Sequence, residues 1–278
     1  MAKESINKYS VAGKIVEIEH RTGVTKAGKP YISGTVHVES APDNIVPIDF
    51  FAQETTNTGK ENPIMKSLQT VVEEYKTITK DTREEADIVE ISGARISENI
   101  FFPQPDRKIR GFRINGAFFN RNNNASPKNE FTVSGEIVEV VEDVENDVPT
   151  GTLTVRLLVV GYKNKANIID FKVEDPAGVK YVQSTFVPDM EVKVNGSVII
   201  DETLEEIKEE VAFGEPIVNT SRKVSRKLVI KSATAPVSSS IPPEEKANML
   251  AVRESEISDK KAAASASTSA PKKSDFSL

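Results

Sequence analysis

A chain of 278 residues with 38% hydrophobic and 28% charged side chains holds material for about two packed domains. Its 36 Lys+Arg against 42 Asp+Glu give a formal net charge of −6, which excludes attraction of the whole chain to a polyanion and leaves local patches to supply it. Cysteine is absent and the histidines are His20 and His37 alone, so disulfides, thiolate metal sites and cysteine nucleophiles are excluded and any His-based catalysis must use those two.

The N-terminus lacks an apolar leader core, and nowhere do 18 apolar residues run without a charge, so a soluble, unexported, cytoplasmic protein without membrane contact is expected. Alternation of apolar and polar residues predicts strands near 9–19, 31–38, 44–52, 87–97 and 107–119. Between the third and fourth, Asn62 can cap a helix with Pro63 at its first position, and Ile64, Leu68, Val71, Val72 and Tyr75 share one face. The Asn-rich stretch after Asn120 has no apolar spacing and reads as a connection.

The same pattern then recurs. Tyr9-Ser10-Val11-Ala12-Gly13-Lys14-Ile15-Val16-Glu17-Ile18 matches Phe131-Thr132-Val133-Ser134-Gly135-Glu136-Ile137-Val138-Glu139-Val140 at five of ten positions. Three further landmarks follow in order: Gly34-Thr35-Val36 with Gly151-Thr152-Leu153, Ile48-Asp49-Phe50 with Ile169-Asp170-Phe171, and Ile91-Ser92-Gly93 with Val194-Asn195-Gly196. Two long copies are a duplicated domain rather than a solenoid. The expected organisation is a domain at 1–121, a linker at 122–130, a second domain at 131–235 and a low-complexity tail at 236–278. In the second copy the helix region, Pro176 to Pro188, reads as short and irregular. The tail is too poor in apolar residues to order itself, apart from a short helix from Pro243 to about Ile257. Strand order, the helix after the third strand, and a glycine where the first strand must bend resemble the OB-fold. The expected fold class is mainly β: two tandem OB-fold-like five-stranded barrels with a helix in the first, and a disordered C-terminal tail.

Charge separates the copies. Residues 1–121 carry 17 Lys+Arg and 17 Asp+Glu, whereas residues 122–235 carry 13 and 19. The loop from His20 to Pro30 holds Arg21, Lys26 and Lys29 without an acid, while its counterpart reads Glu142-Asp143-Val144-Glu145-Asn146-Asp147. The fifth strand of the first copy, entered through a loop at Asn99–Asp106, carries Arg107, Lys108, Arg110 and Arg113, again without an acid. In an OB-like barrel these two basic stretches converge beside the binding face, where cations line a phosphate path and exposed aromatics stack on bases. Tyr31 and Phe51 fall on the polar faces of their strands and are the expected stackers. Phe112, Phe118 and Phe119 read as packing residues, Phe101 and Phe102 as lid or ligand contacts, His37 as a surface residue, and Tyr162 and Phe171 as structural.

No catalytic constellation emerges. Gly23-Val24-Thr25-Lys26-Ala27-Gly28-Lys29-Pro30 imitates a phosphate-binding loop until Pro30, which has no hydroxyl for magnesium and precedes a strand rather than a helix. Glu202, Glu205, Glu206, Glu209 and Glu210 read as an acidic helical face, not a converging acid–base pair. No enzyme and no cofactor are expected.

Together the two copies, the basic stretches and the tail resemble single-stranded DNA-binding proteins built of tandem OB-folds, of the kind encoded by bacteriophages and mobile elements. The resemblance implies sequence-independent coating of single-stranded DNA, or RNA, in replication or recombination, with replication or recombination proteins as partners and possible self-association. The C-terminal Asp275-Phe276-Ser277-Leu278 is similar to the acidic-hydrophobic tip of bacterial members, but has one acid, follows Lys272 and Lys273, and ends in Leu278. A structural or assembly module built from two barrels, without nucleic-acid binding, is the alternative.

Overall fold

A computed structural model describes residues 3–56, 58–209 and 217–268. The first half contains β1 (Asn7–Val24), β2 (Pro30–Ala41), β3 (Asn44–Gln53), α1 (Pro63–Glu74), β4 (Ile88–Gln104), β5 (Arg107–Asn115) and the two-residue β6 (Asn120–Arg121). The second contains β7 (Lys128–Glu145), β8 (Val148–Gly161), β9 (Lys165–Val173), α2 (Pro176–Thr185), β10 (Met190–Glu209) and β11 (Ile217–Ala233), followed by β12 (Val237–Ser238) and α3 (Pro243–Thr268). In the first half β1 pairs antiparallel with both β2 and β4, and a parallel bridge from Asp49 to Asn115 closes the ring β1–β2–β3–β5–β4. The second half repeats the ring as β7–β8–β9–β11–β10, closed by a parallel bridge from Lys172 to Val229. The architecture is mainly β, with five-stranded OB-like rings, called here barrel one and barrel two.

The barrels share a sheet. β1 and β7 pair antiparallel with Tyr9 opposite Phe131, Lys8 opposite Thr132 and Ser10 opposite Glu130. Because Tyr9 and Phe131 are also each other's counterparts in the repeat, the pairing has the self-complementary form of a two-fold homodimer contact within one chain. Asparagines repeat the symmetry. Asn7 donates to Ile96 O at 2.7 Å and accepts from Ile96 N at 3.0 Å, and Asn129 does the same with Val198, at 2.7 and 3.0 Å. The main apolar cluster accordingly runs through both barrels and includes Tyr9 and Phe131, and a smaller one of Leu158, Val160, Ala166 and Met249 lies under α3.

Registers correct two of the repeat landmarks. Ile18 faces Val36 as Val140 faces Val155, so Gly34-Thr35-Val36 corresponds to Leu153-Thr154-Val155 rather than to Gly151-Thr152-Leu153. The closing bridges equate Asp49 with Lys172, so Ile48-Asp49-Phe50 corresponds to Phe171-Lys172-Val173. Both slips are of two residues, which leaves every side chain on its own face and so is invisible to apolar matching.

Other elements also depart from expectation. α2 is a regular helix: the Asp175 carboxylate caps it by accepting from Gly178 N at 2.7 Å, Pro176 opens it, and Val182 is buried beneath it. The helix starting at Pro243 continues to Thr268 because it docks. Met249, Arg253 and Ile257 are buried at helical spacing, and Arg253 donates to both oxygens of Glu98 on β4 at 2.7 Å each. Composition alone could not show this, since the order comes from a surface elsewhere in the chain. Residues 269–278, with the tip noted above, lie outside the described residues, as does Glu210. Glu202, Glu205, Glu206 and Glu209 belong to β10, not a helix, because that segment pairs with β11 residue for residue. The expected loop at 99–106 shrinks to a turn. Asn99 and Ile100 pair with Gly111 and Arg110, and Pro103, lacking a donor, sits where the register shifts between Phe101 and Gln104. Likewise His20 and Arg21 are strand residues opposite Gly34 and Ser33, leaving Thr25–Lys29 as the turn. Residues 128–130 begin β7. Among the described helices none is long and apolar enough to cross a membrane.

Gly13 permits the first strand's bend. A Cβ there would lie 1.9 Å from the Glu39 carbonyl oxygen, whereas one at Gly111 would meet nothing within 4 Å. Gly13→Ala should cost about 1–3 kcal/mol as overpacking against backbone, and Gly111→Ala should be near neutral. Urea denaturation of both variants checks this, and equal midpoints would refute it.

Candidate nucleic-acid interface

The exposed face of barrel one carries a groove of about 800 Å³ between β1, β2, β3 and β5. Alternation along each strand decides its lining: Val36, Val46 and Ile48 turn into the core, while Ser33, Thr35, His37 and Asp49 turn out. Arg21 enters from β1 and donates to Ser33 Oγ at 3.2 Å. Arg113 enters from β5, where its Nε lies 4.0 Å from Asp49 Oδ2, and its side chain is 58% exposed. Asp49 accepts from Thr35 at 2.9 Å, which orients the carboxylate along the floor. His37 Nε2 is buried without a hydrogen-bond partner, 3.6 Å from Glu19.

At one end of this face the rings of Tyr31 and Phe51 lie 5.6 Å apart, tilted by 32°, with Phe51 57% exposed. Tyr31 is held over Gly23, where any Cβ would meet the ring at about 3 Å. Tyr31 itself is partly buried, so Phe51 offers the open ring face that base stacking needs, with Tyr31 packed beside it.

The groove brings Arg21, Phe51 and Arg113 together with Tyr31 alongside. Lys26 stands exposed on the β1–β2 turn, and Lys29 reaches across to Thr56 O at 3.3 Å, tying that turn to the end of β3. Arg107 and Lys108 are exposed at the tip of the β4–β5 hairpin. Since β5 runs parallel to β3, this tip points toward the start of β3, the end away from the β1–β2 turn. The two basic stretches therefore flank the face rather than adjoin. Arg110 is committed elsewhere: it crosses to barrel two, 2.9 Å from Asp170 and 3.1 Å from Ile168 O, with Glu98 at 3.3 Å. Among the phenylalanines, Phe119 is buried, Phe112 is half-buried against the core and Phe118 is 56% exposed. Phe101 is exposed and Phe102 half-buried. Phe171 packs on Phe131 in the core, whereas Tyr162, expected to be structural, is 71% exposed.

Sequence reading missed His37 and Arg226 of β11, both of which line the groove. A signal for Arg226 was present. Residues 217–233 hold Arg222, Lys223, Arg226, Lys227 and Lys231 without an acid, a run hidden by the acidic total of its copy.

Barrel two presents a different face. Counted along β8 and β9, the places of Tyr31 and Phe51 fall on Thr150 and Glu174, and the place of Arg21 falls on Asp143. Asp143 spans the strands, bonded to Lys172 at 2.7 Å, Thr154 at 2.5 Å and Thr152 at 2.8 Å. Arg156 pairs with Glu139 and, at 3.2 Å, with Asp170. Among the described residues of that face, Lys172 and Arg156 are neutralised and the two aromatic places hold Thr150 and Glu174.

Two rings of order β1–β2–β3–β5–β4, one of them bearing an aromatic pair and arginines on its outer face, define an OB-fold protein. The chain matches the YorF family over residues 5–263 and belongs to that family. A crystal structure of the wild-type single-stranded DNA binding protein from Thermus aquaticus superposes with a TM-score of 0.52 at 8% identity, over 86% of this chain and 97% of that one. A deletion mutant of the same Thermus aquaticus protein gives 0.49 at 11% identity, over 87% and 98%. At such identities the likeness shows the fold. No curated protein matches the chain by sequence.

The closed face of barrel two has a pH signature. Burial works against the charge on Asp143, but hydrogen bonds from Lys172, Thr154 and Thr152, with the Lys172 charge, outweigh it and hold the carboxyl below its usual range. A lowered folded value means this stabilisation is complete above the unfolded value of about 4 and is lost as pH falls through the folded one. Asp143→Asn should therefore destabilise the protein at pH 7 and much less near pH 2. Urea midpoints at both pH values test it, and an equal loss at each would rule out the charged carboxylate as the cause.

Proposed function

We propose that this protein binds single-stranded DNA without regard to sequence, on the outer face of barrel one, and coats strands during replication or recombination of the kind that bacteriophages and mobile elements carry out. The observation that carries the reading is the Tyr31–Phe51 pair, with Phe51 open to solvent and Tyr31 partly so, beside a groove lined by Arg21 and Arg113. Aromatic faces accept any base, and arginines accept the phosphate between bases, so the pairing gives affinity without a code. Lys26 and Lys29 at one end of the face and Arg107 and Lys108 at the other extend the phosphate path. The single-stranded DNA-binding function named for the Thermus aquaticus protein fits this reading at the level of fold.

In this reading residues 1–121 hold the strand and residues 131–235 support them, with 122–130 joining the two and 236–278 forming a tail whose helix α3 docks on the barrels. Among its described residues, barrel two's self-neutralised face of β7, β8 and β9 offers a strand neither the aromatic pair nor the loosely engaged arginines of barrel one. The protein acts non-enzymatically in the cytoplasm, with replication or recombination proteins as partners.

Fluorescence anisotropy of labelled oligothymidylate with the full chain is the test. Engagement of about four phosphates gives a log–log salt slope near −2.8, so a fourfold rise in salt should weaken binding about fifty-fold. Tyr31→Ala and Phe51→Ala should each remove about 1–3 kcal/mol, roughly 5- to 150-fold in affinity, while leaving the salt slope unchanged. A folded protein that fails to bind at low salt would leave the assembly-module reading. Stronger binding to oligouridylate would move the substrate to RNA.

A further inference from the structure

The rings exchange arginines across their seam. From barrel one, Arg110 of β5 reaches the face of barrel two and is locked there by Asp170 at 2.9 Å and by Glu98. From barrel two, Arg226 of β11 reaches the groove of barrel one, beside Pro47, Asp49 and Arg113. The exchange is unequal. Arg226 is exposed, and its guanidinium has no partner among the described residues. Its neighbour Lys227, by contrast, turns the other way and is held by Glu174 and Asp201, each at 3.5 Å.

Charge gives this arginine its weight. Among the described residues the groove is lined by two acids, Glu19 and Asp49, and by three arginines, Arg21, Arg113 and Arg226. Without the residue from barrel two the formal charges cancel, and a polyanion would gain nothing electrostatically from entering. With it the groove is net positive. Asp49 also lies within reach of Arg113, which partly engages that cation before any ligand arrives.

We infer that the nucleic-acid groove is composite: Arg226 of barrel two is a phosphate contact for the strand lying on barrel one. This rests on the strand-binding reading above and goes beyond it, because it makes barrel two part of the binding site rather than a support. The path would run from the Tyr31–Phe51 stack, past Arg21 and Arg113, to the seam. Position is secured by β10, whose pairing with β11 sets Ile200 opposite Arg226 while Ile200 N donates to Asn44 Oδ1 of barrel one at 2.8 Å. One hydrogen bond away from that ladder, the two barrels are tied at the place where the arginine crosses.

The experiment measures oligothymidylate affinity of the full chain from 50 mM to 0.2 M salt for the native protein and for Arg226→Ala, Arg226→Lys, Arg113→Ala and Lys231→Ala. Lys231 is exposed on the same strand but outside the groove. Loss of one phosphate contact makes the slope shallower by about 0.7, which corresponds to binding about eightfold weaker at 50 mM and about threefold weaker at 0.2 M. That result is expected for Arg226→Ala, with the native slope kept by Arg226→Lys and Lys231→Ala. A native slope in Arg226→Ala, or an equal change in Lys231→Ala, overturns the composite groove. If Arg113→Ala still loses its contact in that case, strand binding on barrel one stands. If the native protein does not bind at all, both readings fall. Urea midpoints for each variant separate a lost contact from a lost fold.

Discussion

Tyr9 and Phe131 face each other where β1 and β7 pair, both fully buried, and that pairing sets barrel two, with its Arg226, against the groove of barrel one. A five-stranded ring needs β1 to bond with two neighbours of its own barrel, so its first residues are the part still open to a third partner. β7 takes that place, and an exposed strand edge on each barrel becomes interior sheet. Rotation of the barrels against each other would break the ladder and, with it, the bonds that cross the seam: Asn44 with the backbone of Val198 and Ile200, Tyr9 with Asn129, and Ile6 N with Ser134. α3 adds a second restraint. Arg253 meets Glu98 with both side chains nearly buried, and Ile168 of barrel two donates to the same carboxylate at 3.3 Å, so one glutamate serves three elements. Removing one partner from such a pair strands the other's charge in the interior, which is why this contact holds the helix in place so firmly.

Given that frame, the two outer faces differ by how their charges are spent. On barrel two, Asp143 with Lys172 and Arg156 with Glu139 and Asp170 satisfy one another at hydrogen-bonding distance. On barrel one the cations are spaced so that they meet hydroxyls or carboxylates only at their margins: Arg21 touches Ser33, and Arg113 stands 4.0 Å from Asp49. Neutralised pairs rigidify a surface, whereas loosely engaged arginines leave donors free for a phosphate. The aromatic substitution follows the same division, since Thr150 and Glu174 cannot offer the flat surface of Tyr31 and Phe51.

Much of this was legible in the order of residues. The strands, α1 with its Asn62 cap, and the duplication followed from local periodicity, because half-buried strands and an amphipathic helix write their burial directly into the chain. Tyr31 and Phe51 could be placed on the outer face by parity alone. What was hidden depended on contacts between distant segments. Arg110 and Arg226 look alike in sequence, each in a basic fifth strand, and only the seam shows that one is bound and the other open. The length of α3 was equally hidden, because the surface that orders it belongs to β4 and β9. The two-residue slips at β2 and β3 escaped notice for the opposite reason: pattern was kept while identity moved.

A true homodimer of one such barrel would carry every substitution twice, so a change that closes one face would close the other, and an arginine sent across the seam would be returned in kind. Joining the copies in one chain lifts that restriction. The Tyr9–Phe131 contact keeps the symmetry of a dimer where symmetry is needed for packing, while Asp143 and Arg21, which occupy matching places on β7 and β1, are free to be opposite in sign. The single chain thereby has a direction: one outer face keeps its arginines loosely engaged beside an open aromatic ring, and the other pairs its charges within itself, a polarity that no symmetric dimer of one barrel would have.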